Sequence, residues 1–141
     1  MTPSKIQHYI AGKWVEGSGE GQLLHHAITG EPYAIHTVQG IDFQDLFDHA
    51  RKVGNPNLRK MTFQERGLML KALAFHLLEL KEKYYQISSA TGATRLDSWI
   101  DIEGGIGNVF SNASLRRQFP DLHYHVDGQT VNLSKEGSFV G

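Results

Sequence analysis

The chain has 141 residues, with Lys+Arg 14 against Asp+Glu 15, 40% hydrophobic residues and 21% charged ones. That is one domain by length, long enough to bury a core and ordinary in composition for a soluble globular chain. The balanced charge leaves no basic excess to attract nucleic acid or anionic lipid, and no apolar run approaches the roughly 18 residues that span a bilayer.

Cysteine is absent, which excludes disulfides and thiolate metal sites. The opening, MTPSKIQHYIAG, lacks a signal-peptide apolar region, so the cytoplasm is the expected compartment.

In chain order, Tyr9 to Val15 reads as a strand with a tight turn at Gly12-Lys13. Gly17 to Gly21 is a loop. Leu23 to Ala27 and Tyr33 to Val38 are short strands split by the turn residues Thr29-Gly30-Glu31-Pro32. Phe43, Leu46, Phe47, Ala50 and Val53 recur at helical spacing, which predicts an amphipathic helix over 42–53. Gly54 and Pro56 are expected to stop it, leaving a linker from Asn55 to Met61.

Thr62-Phe-Gln-Glu65 is a capping box: the threonine hydroxyl accepts from the third residue's N–H, and the glutamate reaches back. It opens a long helix with Leu70, Leu73, Ala74, Leu77, Leu78, Tyr84 and Tyr85 in one stripe, expected to stop at Gly92. Thr94-Arg-Leu-Asp97 is a second box of the same kind. It opens a helix over 95–117, with Pro120 just beyond.

Gly104, Gly105 and Gly107 fall inside this helix, and each costs about 1 kcal/mol against alanine there. Close approach of another backbone, or of a ligand, is the expected reason. Finally, Tyr124-His-Val126, Asp127-Gly128 and Gln129 to Leu133 read as a hairpin with an Asp-Gly turn. The fold class is α+β: mainly three helices, with short β-hairpins at both ends. Isolated hairpins are marginal in water, so both are expected to add to a sheet supplied from elsewhere.

Few motifs carry chemistry. Gly17-Ser-Gly-Glu-Gly21 lacks the following helix that a phosphate cradle requires. His25-His26 and the pair His123 and His125 have no carboxylate at matched spacing, so no metal site is expected. Asp97 and Asp101 share one helix face near its N-terminus, where the dipole favours negative charge; helix electrostatics accounts for them before acid–base catalysis with Glu103 does. No nucleophile-elbow pattern surrounds any serine. Trp99, Ile102, Ile106 and Phe110 form an apolar stripe that reads first as core.

Three stretches together carry a family resemblance. HYIAGKWVEGSGEG, from His8 to Gly21, and AITGEPY, from Ala27 to Tyr33, resemble the opening segments of aldehyde dehydrogenases, although His26 stands where that family's second segment has a proline. The helix from Arg66 to Leu80 matches the family's R-x-x-x-L-x-x-L pattern. TGATRLDSWIDIEGGIGNVF, from Thr91 to Phe110, is the specific part. It resembles the branch of phenylacetate catabolism in which a semialdehyde dehydrogenase is fused to a hydratase-like domain that hydrolyses oxepin-CoA.

The resemblance implies that residues 1–141 are a partial aldehyde dehydrogenase domain, with NADP as the cofactor of the complete enzyme and none for this chain alone. It implies that the end hairpins meet a homo-oligomer partner or the missing C-terminal part. It also places the stripe Trp99, Ile102, Ile106 and Phe110 along a substrate tunnel. The family's cysteine thiolate, its general-base glutamate and its cofactor strands lie downstream of the matched part, so no catalytic or cofactor-binding residue carries over. With no thiolate, the chain alone is expected to be inactive. The alternative of another class is a non-catalytic helical interaction module that adds β-strands to a partner.

Overall fold

A computed structural model describes residues 3–128 and the two short strands Val131–Asn132 and Ser138–Phe139. The fold is α+β. Strands β1 (Ser4–Lys5), β2 (Gln7–Ile10), β3 (Lys13–Glu16), β4 (Gln22–His25) and β5 (Pro32–His36) come first. Helices α1 (Phe43–His49), α2 (Asn55–Arg59), α3 (Phe63–Glu79), α4 (Lys81–Ala90) and α5 (Arg95–Ser114) follow, and β6 (Val131–Asn132) and β7 (Ser138–Phe139) close the order.

The opening hairpin forms between β2 and β3, with Tyr9 opposite Trp14 and their rings 5.1 Å apart. Its turn is Ala11-Gly12, one residue earlier than expected. Both central residues have positive φ, as the twist of a two-residue hairpin demands. β4 pairs antiparallel with β5, and β1 adds in parallel on the other side of β5, giving the order β1-β5-β4. The turn between β4 and β5 leans on α4, where Ala27 N–H donates to Ala90 O at 2.8 Å.

The first helix does not stop at Gly54. Asp42 caps α1 by accepting from the N–H groups of Gln44 and Asp45 at 2.8 and 3.1 Å. The helical path then widens into a π turn over Ala50–Gly54 and runs on into α2. Asn55 N–H donates to Ala50 O, five residues back. A proline continues an α-helix only where the carbonyl four residues earlier is out of its way, and the wider turn provides that room for Pro56. The expected linker over 55–61 is therefore largely helix.

The long second helix also departs from expectation. It breaks at Leu80, where φ is −92° and ψ 2°, and restarts as α4. Leu80 N–H tightens onto Leu77 O at 3.1 Å, while Leu80 O accepts from Lys83 and Tyr84 as a new first turn. Among the described residues five α-helical segments therefore stand where three were expected. Both capping boxes are present as read: Thr62 with Glu65, and Thr94 with Asp97. α5 ends in a 3₁₀ turn, Leu115–Gln118, ahead of Pro120.

α3 and α4 together lie antiparallel along α5. Phe75 meets Phe110 edge-on at 5.0 Å, and farther along Ser88 meets Ser98 at 2.9 Å. The most buried residues between them are small: Ala74 is 0% exposed and Ala113 1%. A Cβ on Gly67 would lie 2.6 Å from Arg116 Cδ and 2.9 Å from Ala113 O, so α3 needs glycine there to reach α5. Leu73, expected in the buried stripe, is exposed.

The closing hairpin differs too. Tyr124 to Val126 is not a strand. It follows a segment held against α3, where Phe63 N–H donates to Leu122 O at 3.0 Å and Phe119 packs edge-on against His125. β6 pairs instead with β7, Val131 opposite Phe139. Gln129, Thr130 and Leu133, the rest of that expected strand, lie outside the described residues.

Candidate functional site

The most developed polar cluster ties α4 to α5. Tyr85 is buried, and its hydroxyl donates to Glu103 Oε1 at 2.7 Å. Lys81 Nζ donates to the same oxygen at 3.2 Å. The Arg95 guanidinium stacks 3.5 Å from the Tyr85 ring centroid and pairs with Glu82 at 3.3 Å. Ser98 is 2% exposed, and its hydroxyl shares a 2.9 Å hydrogen bond with Ser88. Beside these groups opens a cleft of about 260 Å³ bordered by Gln86, Ser89 and Arg95.

The electrostatics follow from the contacts. Burial, and then the bond to the Glu103 carboxylate, push the Tyr85 phenol above its usual range. The donated Tyr85 hydrogen bond, and then Lys81, hold the Glu103 carboxyl below its usual range against its own desolvation. One oxygen of an ionised carboxylate that already takes two donors is a latch between helices rather than a free base. Arg95 is likewise neutralised by Glu82. Spacing within one helix gives no sign of this latch, because Tyr85 and Glu103 are 18 positions apart.

No serine has a base beside it in the hydrogen bonds of the described residues. Ser98 is bonded to Ser88, Ser111 Oγ donates to Gly107 O at 3.0 Å, and Ser114 Oγ donates to Ser111 O at 2.7 Å. Asp97 serves the α5 cap. His8 Nε2–H donates to the carbonyl of Thr37 at 2.8 Å, and His26 sits edge-on to Tyr33. Among the described residues no group of three or more His, Asp or Glu side chains converges as a metal site. The Gly17–Gly21 loop runs from β3 into β4 rather than into a helix, and these residues do not fit a dinucleotide phosphate.

The apolar stripe is split by the fold. Ile106 is buried, 6% exposed, and Phe110 is half-buried against Phe75. Ile102 is half-buried beside Tyr84 and Ile87, at the border of a shallow depression. Trp99 is 52% exposed. A Cβ on Gly104, Gly105 or Gly107 would meet nothing within 4 Å among the described residues. Close packing among the described residues is therefore not their reason. Gly104 and Gly105 border an open depression with Asp97, Ile100, Asp101 and Asn108.

No protein-family model matches the chain. A curated relative does: the 3,4-dehydroadipyl-CoA semialdehyde dehydrogenase of Aromatoleum evansii, 33% identical over 138 residues. The chain is related to the N-terminal part of an aldehyde dehydrogenase. The match covers 97% of this chain and 27% of that dehydrogenase, so the chain spans about a quarter of the length of the relative it matches. The part of α5 from Arg95 to Phe110, with its capping box and its three glycines, lies within the stretch that carried the resemblance. No helix among the described residues is long and apolar enough to cross a membrane.

Proposed function

We propose that this chain is the N-terminal piece of an aldehyde dehydrogenase whose complete form oxidises a ring-opened CoA semialdehyde to the acid. The observation that carries the reading is the similarity over 97% of the chain to a dehydrogenase named for such a semialdehyde. The piece contributes structure rather than chemistry. It has no cysteine to form a thiohemiacetal, no serine among the described residues has a base beside it, and its glycine loop does not open a helix.

NADP and the nucleophile belong, on this reading, to the complementary part of the enzyme. That part, or a neighbouring subunit, meets the open hairpin β2–β3, whose β3 residues are all exposed. Of the tunnel residues, Trp99 and Ile102 keep accessible surface toward a substrate, while Ile106 and Phe110 back them from the helix core. A CoA thioester substrate fits a cytoplasmic enzyme.

A second reading draws on the same hairpin: an interaction module that binds a partner by strand addition without supporting turnover. Co-expression of the chain with a dehydrogenase that lacks its own matched N-terminal part separates the two. Complex formation with NADPH production from an aldehyde supports the dehydrogenase piece. A stable complex without turnover supports the module. Failure to form any complex contradicts both.

A further inference from the structure

Nothing in the sequence around Leu80 ends a helix. Leu78, Glu79, Leu80, Lys81 and Glu82 are all strong helix formers, and a sharp break normally has a proline, a glycine or serine pair, or a π turn at it. Yet Leu77 O takes the N–H of Leu80 at 3.1 Å, and Lys83 N–H donates to Leu80 O at 3.0 Å. In a continuous helix Leu77 O takes the N–H of Lys81, and Lys83 N–H reaches Glu79 O. Leu80 carries the departure, with ψ at 2° where a helix has about −42°. The cause of the break therefore lies outside the segment that breaks.

α5 supplies it. Contacts run from Ala113 beside Gly67, through Phe110 on Phe75, to Ser98 on Ser88, a length of about 30 Å along α3 and α4. Two straight helices cross at an angle of about 20° or more and draw apart away from the crossing. The break turns α4 back onto α5. One oxygen of Glu103 holds it there, taking Lys81 Nζ from the first residue of α4 and the Tyr85 hydroxyl from the next turn. At its other end α4 meets the small sheet: Ala90 O accepts from Ala27 N–H at 2.8 Å, and a Cβ on Gly92 would lie 3.3 Å from Ala27 Cβ.

We propose that Leu80 is a hinge with two settings and that Glu103 is its lock. Latched, α4 lies along α5. Released, α3 and α4 merge into one helix from Phe63 to Ala90 and α4 tilts off α5. The tilt carries Ala90 away from the turn between β4 and β5, and widens the depression bordered by Tyr84, Ile87 and Ile102. The link from Thr91 to Thr94 is too short to allow more than a tilt. The released setting gains backbone bonds at the break, and the latched setting gains the two bonds to Glu103. A difference of a few interactions between two arrangements is what makes an element switchable.

Amide hydrogen exchange by NMR on the full 141-residue chain reads the setting of the hinge, each rate taken relative to its sequence-intrinsic value. Lys81→Met with Tyr85→Phe removes both donors from Glu103 while keeping an apolar stem and a ring. In this double variant the amide at position 81 should slow by about tenfold or more as it joins the helix, while the Ala27 amide speeds up. Simple destabilisation speeds both, so the opposed signs identify release. Unchanged or faster exchange at position 81 overturns the proposal. Ser88→Ala, which removes a bond between α4 and α5 that does not involve Glu103, should leave position 81 as in wild type. Slowing there to the same degree would overturn Glu103 as the lock. If circular dichroism shows the double variant unfolded, Tyr85→Phe alone carries the test: a smaller slowing at position 81 is expected, and no slowing overturns the proposal.

Discussion

Gly67 and the glycines of α5 face opposite circumstances in one helical layer. At Gly67 the neighbouring helix is already present: a Cβ would meet the Arg116 stem and the Ala113 carbonyl inside van der Waals distance. At Gly104, Gly105 and Gly107 a Cβ would meet nothing within 4 Å among the described residues. Both regions bear the backbone cost of glycine in a helix, but among the described residues only the first gains a contact.

The sharpest way to break that comparison is to replace the open glycines. Gly104→Ala, Gly105→Ala and Gly107→Ala together should stabilise the isolated chain by about 2–3 kcal/mol, since each removes about 1 kcal/mol of helix cost. A raised thermal midpoint by circular dichroism is the readout, and an unchanged or lowered one would mean that the glycines already have partners in this chain. Gly67→Ala should move the other way. Overpacking against a backbone carbonyl typically costs about 1–3 kcal/mol, more than the helix propensity gained. A Gly67→Ala chain as stable as wild type would remove the contrast.

The capping boxes sharpen the same picture at smaller size. Thr62→Ala and Thr94→Ala should each cost about 1 kcal/mol, because each leaves a first-turn N–H without its acceptor. Equal losses would show that α3 and α5 contribute alike to the layer. The smallest effect is expected from Tyr85→Phe, and it depends on pH. Glu103 titrates below its unfolded value, so its contribution is present above the usual carboxylate range and is lost as pH falls through the folded value. Tyr85 titrates above its unfolded value, so its contribution is present below pH of about 10 and is lost as pH rises through the folded value. The midpoint difference between wild type and Tyr85→Phe should therefore be largest near neutrality and shrink at both extremes. A difference independent of pH would mean that the Tyr85–Glu103 bond is not the cause.

What the sequence discloses follows the range of the interactions. The capping boxes were legible because donor and acceptor stand three positions apart in one turn. The strands β4 and β5 were legible from the Thr29–Pro32 turn between them. The break at Leu80 was not, because Glu79-Leu80-Lys81 carries no glycine, proline or cap, and the helix turns there to bring Tyr85 onto Glu103. Nor was the passage through Pro56, which depends on a π turn that no residue type announces. Gly67 and Gly107 look alike in sequence, and only residues far along the chain, Ala113 and Arg116, separate the first from the second. In the candidate site, the apolar stripe was legible as a face of α5, but not its division between a buried Ile106 and an open Trp99.

The central claim is that this chain contributes structure to a dehydrogenase and none of its chemistry. The most direct measurement is NADPH formation from a medium-chain aldehyde by the purified 141-residue chain, with calorimetry for NADP⁺ on the same sample. The predicted result is no turnover above a buffer blank and no heat of cofactor binding. Turnover that survives repurification would contradict the claim, and would point to a nucleophile among Ser98, Ser111 and Ser114.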